Sequence, residues 1–82
     1  MKAEIQITLN PAVLDPQGQA VLQSLHRLGF TDAQKVRVGK VVHLELEDQS
    51  HEEAIARLGS MSEKLLANPV MEDFKIKILE EA

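Results

Sequence analysis

The stretch Leu14-Asp15-Pro16-Gln17-Gly18 is the first place where this sequence could do chemistry. A loop that feeds a helix presents unpaired backbone amides, and such amides bind anions. Asp15 argues for a different use of them. Its carboxylate is spaced to accept from the first turn, and Pro16 sits where a missing N–H costs nothing. A carboxylate already seated there also repels phosphate, so the stretch reads as a helix cap. Gly18 is what the cap leaves unexplained. Within a helix it costs roughly 1 kcal/mol relative to Ala, and a close approach to a strand or to a second chain is the expected compensation.

The other reactive residue types do not assemble. His26, His43 and His51 fall on three different elements, whereas a zinc site needs three or four converging ligands. Carboxylates crowd Glu45-Leu46-Glu47-Asp48 and His51-Glu52-Glu53, but acid–base work needs a pair held in a desolvated cleft, and these read as strand-edge and helix-start charges. Ser24, Ser50, Ser60 and Ser62 lack a strained elbow, and there is no Cys to act as nucleophile, metal ligand or disulfide partner. Arg37 and Lys40 could touch a phosphate or an acidic partner, although a solvated turn is the plainer reading. No catalytic, cofactor or metal site is expected.

Composition narrows the class further. The chain has 82 residues, 44% apolar but 2% aromatic, with Phe30 and Phe74 the only rings. One domain of this length buries only about 60% of its unfolded surface, so an oligomer or a larger partner would supply area that the monomer lacks. A net charge of −4 with mixed signs, and no stacking rings, disfavours nucleic acid. No apolar run approaches the ~18 residues of a membrane span, and the polar, alternating N-terminus does not resemble a signal peptide, so a cytoplasmic protein is expected.

The elements that must position these residues follow from periodicity. Ala3, Ile5, Ile7 and Leu9 alternate with Glu4, Gln6 and Thr8, predicting a half-buried strand that Asn10-Pro11 ends. Gly18, Val21, Leu22, Leu25 and Leu28 share a helical face, and Gly29 stops that helix. Residues 33–47 read as a hairpin around Gly39-Lys40, with a register conflict. A two-residue turn puts Val36 and Val38 on the face opposite Val42, Leu44 and Leu46, whereas a bulge at the glycine, the favoured reading, gathers all five on one side. The rival reading buries both faces of the hairpin. Ser50 and Glu53 form a capping box ahead of a stripe of Ala54, Ile55, Leu58, Met61, Leu65 and Leu66, which runs to Asn68-Pro69. Phe74, Ile76 and Ile78 then alternate with Asp73, Lys75 and Lys77 in a last strand, before a short tail of Glu80-Glu81-Ala82.

The order βαββαβ predicts a single α+β domain over residues 1–82: a ferredoxin-like layer of four antiparallel strands with two helices on one face. The other face would carry Glu4, Gln6, Thr8, Val41, His43, Lys75 and Lys77, either solvated or paired with a second copy.

Three segments, "VLDPQGQAV" at 13–21, "VRVGK" at 36–40 and "LLANPVMEDF" at 65–74, together resemble the PurS family, the small subunit of phosphoribosylformylglycinamidine synthase in purine biosynthesis. The resemblance spans essentially the whole chain. It implies a non-catalytic subunit that assembles, as a homodimer or higher oligomer, with a glutaminase subunit and a large synthetase subunit, and that helps protect ammonia in transit. Glutamine, ATP and magnesium would be used by those partners and not bound here. At the motif positions stand Asp15, Pro16, Gln17, Gly18, Arg37, Gly39, Lys40, Asn68 and Pro69, which the resemblance makes candidate partner or oligomer contacts. Two other readings share the element order. An amino-acid-binding regulatory module of the ACT type usually carries a Gly-containing turn where this chain has the longer "NPAVLDPQG", and an acylphosphatase-like enzyme needs an Arg in its anion loop, where none stands.

Overall fold

Alternation gives the first strand one apolar face, and Ala3, Ile5 and Ile7 on it are the most deeply buried row of the sheet. In the computed structural model, which describes residues 1–80, β1 (Lys2–Leu9) lies between β2 (Gly39–Glu45) and β3 (Glu72–Glu80), antiparallel to both. Ile5 stands opposite Val42 on one side and Ile76 on the other. The opposite face is polar as expected, with Glu4 between His43 and Lys77 and Gln6 between Val41 and Lys75. On that face Glu4 Oε1 lies 2.9 Å from His43 Nε2. Glu81 and Ala82 of the expected tail lie outside the described residues.

Helix α2 (His51–Met61) covers the apolar face. Its start is the predicted cap, with Ser50 Oγ accepting from Glu53 N–H at 3.1 Å. Ala54 and Leu58 are fully buried, and Leu58 joins the cluster of Ala3, Ile5, Ile7 and Ala67. The stripe then departs from its expected course. Ser62–Leu66 form a π-helical turn, in which Ala67 N–H donates to Ser62 O at 2.8 Å, five residues back. One extra residue per turn rotates the following side chains. Leu65, expected on the stripe, is 83% exposed, while Ser62 is buried and its hydroxyl donates to Leu58 O at 2.8 Å.

The expected hairpin is absent, so the sheet has three strands and not four. A tight hairpin at Gly39-Lys40 needs a positive φ in its primed turn. Gly29 is the only glycine with positive φ, and no other residue type adopts it among the described residues. Gly39 is instead an ordinary strand residue opposite Thr8. The ladder with β1 starts there, and just before it the Arg37 guanidinium donates to Asn10 O at 3.1 Å, at the end of β1. Residues 36–38 lead into β2 without turning back at Gly39. Within one run the even-numbered Val36, Val38, Val42, Leu44 and Leu46 share a face without any bulge, and these five are half-buried while 37, 39, 41, 43 and 45 are exposed. Neither the bulge nor the doubly buried hairpin is needed.

Nor do two helices cover one face. Helix α1 (Pro16–Arg27) makes little contact with the sheet and lies beside residues 33–38, with only Gly18 buried. Its end is a Schellman motif, in which Gly29 has φ of 100° and Phe30 N–H donates to Leu25 O at 2.9 Å. Val21, Leu28 and Phe30 stay exposed. The chain measures 48 × 26 × 14 Å with a radius of gyration of 16.1 Å. A globular chain of this length would have about 12 Å.

The π turn has a measurable consequence. Leu58→Ala should lower the unfolding free energy by about 2–5 kcal/mol, because a fully packed side chain leaves a cavity, whereas Leu65→Ala should change it by less than about 0.5 kcal/mol. Urea denaturation at one fixed protein concentration compares the two, and equal losses would place Leu65 on the core stripe after all.

Candidate functional site

The first two motif segments meet at the Asp15 carboxylate. Asp15 is 4% exposed, and its two oxygens serve different parts of the chain. Oδ1 accepts from Gly18 N–H at 3.0 Å, which is the cap that local sequence predicts. Oδ2 accepts from Val38 N–H at 2.8 Å, which ties the helix start to the extended run 23 residues later. The amides of Gly18 and Val38 hold the carboxyl below its ordinary range against the opposing effect of desolvation, with Arg37 adding a smaller favourable charge. Gly18 is required by the same contact, since a Cβ there would stand 2.3 Å from Val36 O. The close approach expected of this glycine is thus made within the chain.

Arg37 extends the junction. Its Nη2 donates to Asn10 O at 3.1 Å and to Val13 O at 3.0 Å, so it bonds backbone and does not point at a solvated turn. Asn10 in turn donates its N–H to Met71 O at 2.8 Å, which brings in the third segment. There Asn68 organises the turn into β3: Oδ1 accepts from Val70 and Met71 N–H at 3.0 and 3.3 Å, and Asn68 N–H donates to Glu72 Oε1 at 2.7 Å. All three motif segments therefore converge at one end of the sheet through Asn10. Sequence reasoning saw Asn10 only as a strand terminator, because its role lies in backbone groups that its side-chain type does not reveal.

The remaining motif residues divide between packing and surface. A Cβ at Gly39 would stand 2.6 Å from Ile7 O, so this glycine admits close contact with β1. Pro16, Gln17, Lys40 and Pro69 are exposed. Gln17, Gly39 and Lys40 border a small open groove of about 240 Å³ with Leu9 and Glu72. Pro69 borders a separate groove with Glu63 and Phe74. The histidines remain apart: His26 Nε2 lies 2.7 Å from Ala33 O, His43 pairs with Glu4, and His51 opens α2. Among the described residues no group of three His, Cys, Asp or Glu side chains is placed to hold a metal ion. No helix among them is long and apolar enough to cross a membrane.

The fold and these contacts define a small α+β domain, a three-stranded antiparallel sheet whose loops are fastened to one another at one end. Comparison with known proteins specifies the family. The PurS family, phosphoribosylformylglycinamidine (FGAM) synthase, matches residues 2–80, and this chain belongs to it. The phosphoribosylformylglycinamidine synthase subunit PurS of Archaeoglobus fulgidus is 43% identical, over 93% of this chain and 95% of its own length. The Bacillus subtilis subunit is 39% identical over 96% and 93%. Among solved structures, PurS of Methanocaldococcus jannaschii superposes with a TM-score of 0.89 at 34% identity, covering 99% of this chain and 96% of that one. A chain in the structure of PurLQS from Thermotoga maritima does so at 0.87 and 32% identity, covering 95% of each.

Gly18→Ala should destabilise the chain by about 1–3 kcal/mol despite its better helix propensity, because the new methyl meets a carbonyl. Gly59→Ala, whose Cβ would meet only Ile76 Cδ1 at 3.9 Å, should be neutral or slightly stabilising, and thermal or urea unfolding separates the two. Asp15 adds a pH dependence of known sign. A carboxyl held low in the folded state contributes stability that is complete above its unfolded value of about 3.9 and is lost as pH falls through the folded value. The urea midpoint of Asp15→Asn should therefore lie below that of the parent at pH 7, and the gap should narrow as pH falls below the unfolded value of about 3.9. A difference that persists unchanged into acid would assign the loss to something other than the charge.

Proposed function

We propose that this chain is a non-catalytic small subunit of phosphoribosylformylglycinamidine synthase in de novo purine biosynthesis. It assembles a glutaminase subunit with a large synthetase subunit and supports the transfer of ammonia between them. The observation that carries this reading is the family match over residues 2–80, joined to the likeness with a chain of the PurLQS structure. In that arrangement glutamine, ATP and magnesium are used by the partners, this chain binds no cofactor of its own, and it works in the cytoplasm as a homodimer or higher oligomer.

The motif residues then take two roles. Asp15, Gly18, Arg37, Gly39 and Asn68 hold the loops at one end of the sheet, and the exposed Pro16, Gln17, Lys40 and Pro69 offer that end to a partner. Separating the roles is possible because the side chains of the second group are exposed.

Reconstitution tests the reading directly. The glutamine-dependent rate of formylglycinamidine formation by the two larger subunits should rise when this chain is added, while the ammonia-driven rate should not. If neither rate responds and no complex forms, the proposal fails. Gln17→Ala with Lys40→Ala should weaken partner binding at least several-fold in a titration without moving the unfolding midpoint, and unchanged affinity would remove that groove from the interface.

A further inference from the structure

The π turn leaves an apolar tip that the single chain does not cover. Had α2 continued regularly, Leu65 would extend its buried stripe, as its spacing predicts, but it is 83% exposed. The turn into β3 adds to the tip. Met71 and Glu72 N–H both donate to Asn68 O, at 3.2 and 2.8 Å, so the backbone doubles back and presents Val70, which is 86% exposed, between the exposed Pro69 and Met71. Exposed apolar side chains scattered singly need no explanation, whereas a group gathered on one turn marks a surface for binding. The tip is also held in shape, because Met71 O accepts from Asn10 N–H at 2.8 Å, and a preorganised surface loses less freedom when it binds.

Charge borders the tip. An open groove of about 500 Å³ is lined by Glu63, Pro69, Glu72, Asp73 and Phe74. Glu72 uses one oxygen to accept from Asn68 N–H at 2.7 Å. Glu63 and Asp73 form no ion pair with any cation among the described residues. Phe74, one of the two rings in the chain, stands beside these carboxylates. A ring next to carboxylates suits a guanidinium or ammonium group, which can rest on the ring face while its N–H groups reach the oxygens.

We propose that this surface docks a basic, apolar segment of one of the larger subunits, with an Arg or Lys of that segment in the groove and its apolar side chains over Leu65 and Val70. The proposal rests on the functional reading above, and it adds which surface meets the partner and what the partner must carry there. Charge selects this occupant. A second copy facing the patch across a two-fold axis would set Glu63, Glu72 and Asp73 against the same three carboxylates. Anionic lipid and nucleic acid are repelled for the same reason. A wholly apolar partner would cover the tip but would desolvate Glu63 and Asp73 without compensation. A segment carrying both cations and apolar side chains satisfies both parts of the surface.

Titration of the full-length chain against the purified glutaminase and synthetase subunits, separately and together, tests this. Leu65→Ser with Val70→Ser, and independently Glu63→Lys with Asp73→Lys, should each weaken binding at least about tenfold. All four side chains are exposed, so the unfolding midpoint should stay in place. Asp32→Lys with Glu47→Lys makes the same change in net charge outside the groove, and at physiological salt it should alter affinity by less than about twofold. Light scattering should give every variant the copy number of the parent. A parent that binds while both tip and groove variants bind equally well overturns the inference and leaves the functional reading standing. A copy number that changes in those variants assigns the surface to self-contact and also overturns it. If the parent binds neither subunit, the functional reading falls and this inference falls with it.

Discussion

The Asp15 carboxylate is the point on which the arrangement turns. By accepting from Gly18 and from Val38 at once it fixes where α1 begins and where the run toward β2 passes. A cap alone would serve the helix and nothing else. The second bond makes it a tertiary contact in a chain with few buried side chains, and the absence of a side chain at Gly18 is what allows the carbonyl of Val36 to come close enough for both. Arg37 then uses its length to reach Asn10 and Val13. Loops that join the elements are thereby tied by hydrogen bonds where apolar cover is thin.

The sheet obeys a different constraint. Its central strand is buried on one face only, so every residue of β1 alternates between a packed aliphatic and a polar or charged group. Helix α2 covers that face, and the π turn at its end adjusts the fit by moving Leu65 outward and Ala67 inward. Ser62 is the cost of the adjustment, a hydroxyl in the core, and it is satisfied by Leu58 O. Helix α1 contributes little to this core. The chain consequently has a packed half and an extended half, and its surface exceeds what a compact chain of the same mass would expose.

An extended half with an unpaired edge and exposed apolar side chains suits a subunit whose work is assembly. Stability withheld from the single chain becomes available when another chain supplies the missing layer. The residues most distinctive in type, namely Asp15, Gly18, Arg37 and Asn68, are bound to backbone, and chemistry performed on a substrate would need them free.

Local order was legible in the residues themselves. Alternation marked β1 and β3, Asp15 and Ser50 marked two helix starts, Gly29 marked a helix end, and the polar face of the sheet was read residue by residue, because each of these depends on neighbours within about one turn or one pleat. The partner of residues 33–38 was not legible. The alternation of Val36 through Leu46 is the same whether the run folds back at Gly39 or continues, and only the backbone angle at that glycine and the reach of Arg37 to Asn10 decide between them. The π turn was hidden for a similar reason, since one inserted residue changes which side chain faces the core without changing composition. Convergence of the three motif segments on Asn10 was also beyond the sequence, because it runs through main-chain carbonyl and amide groups that every residue carries. Periodicity thus determined what each segment would be, and tertiary contact decided which segments would meet.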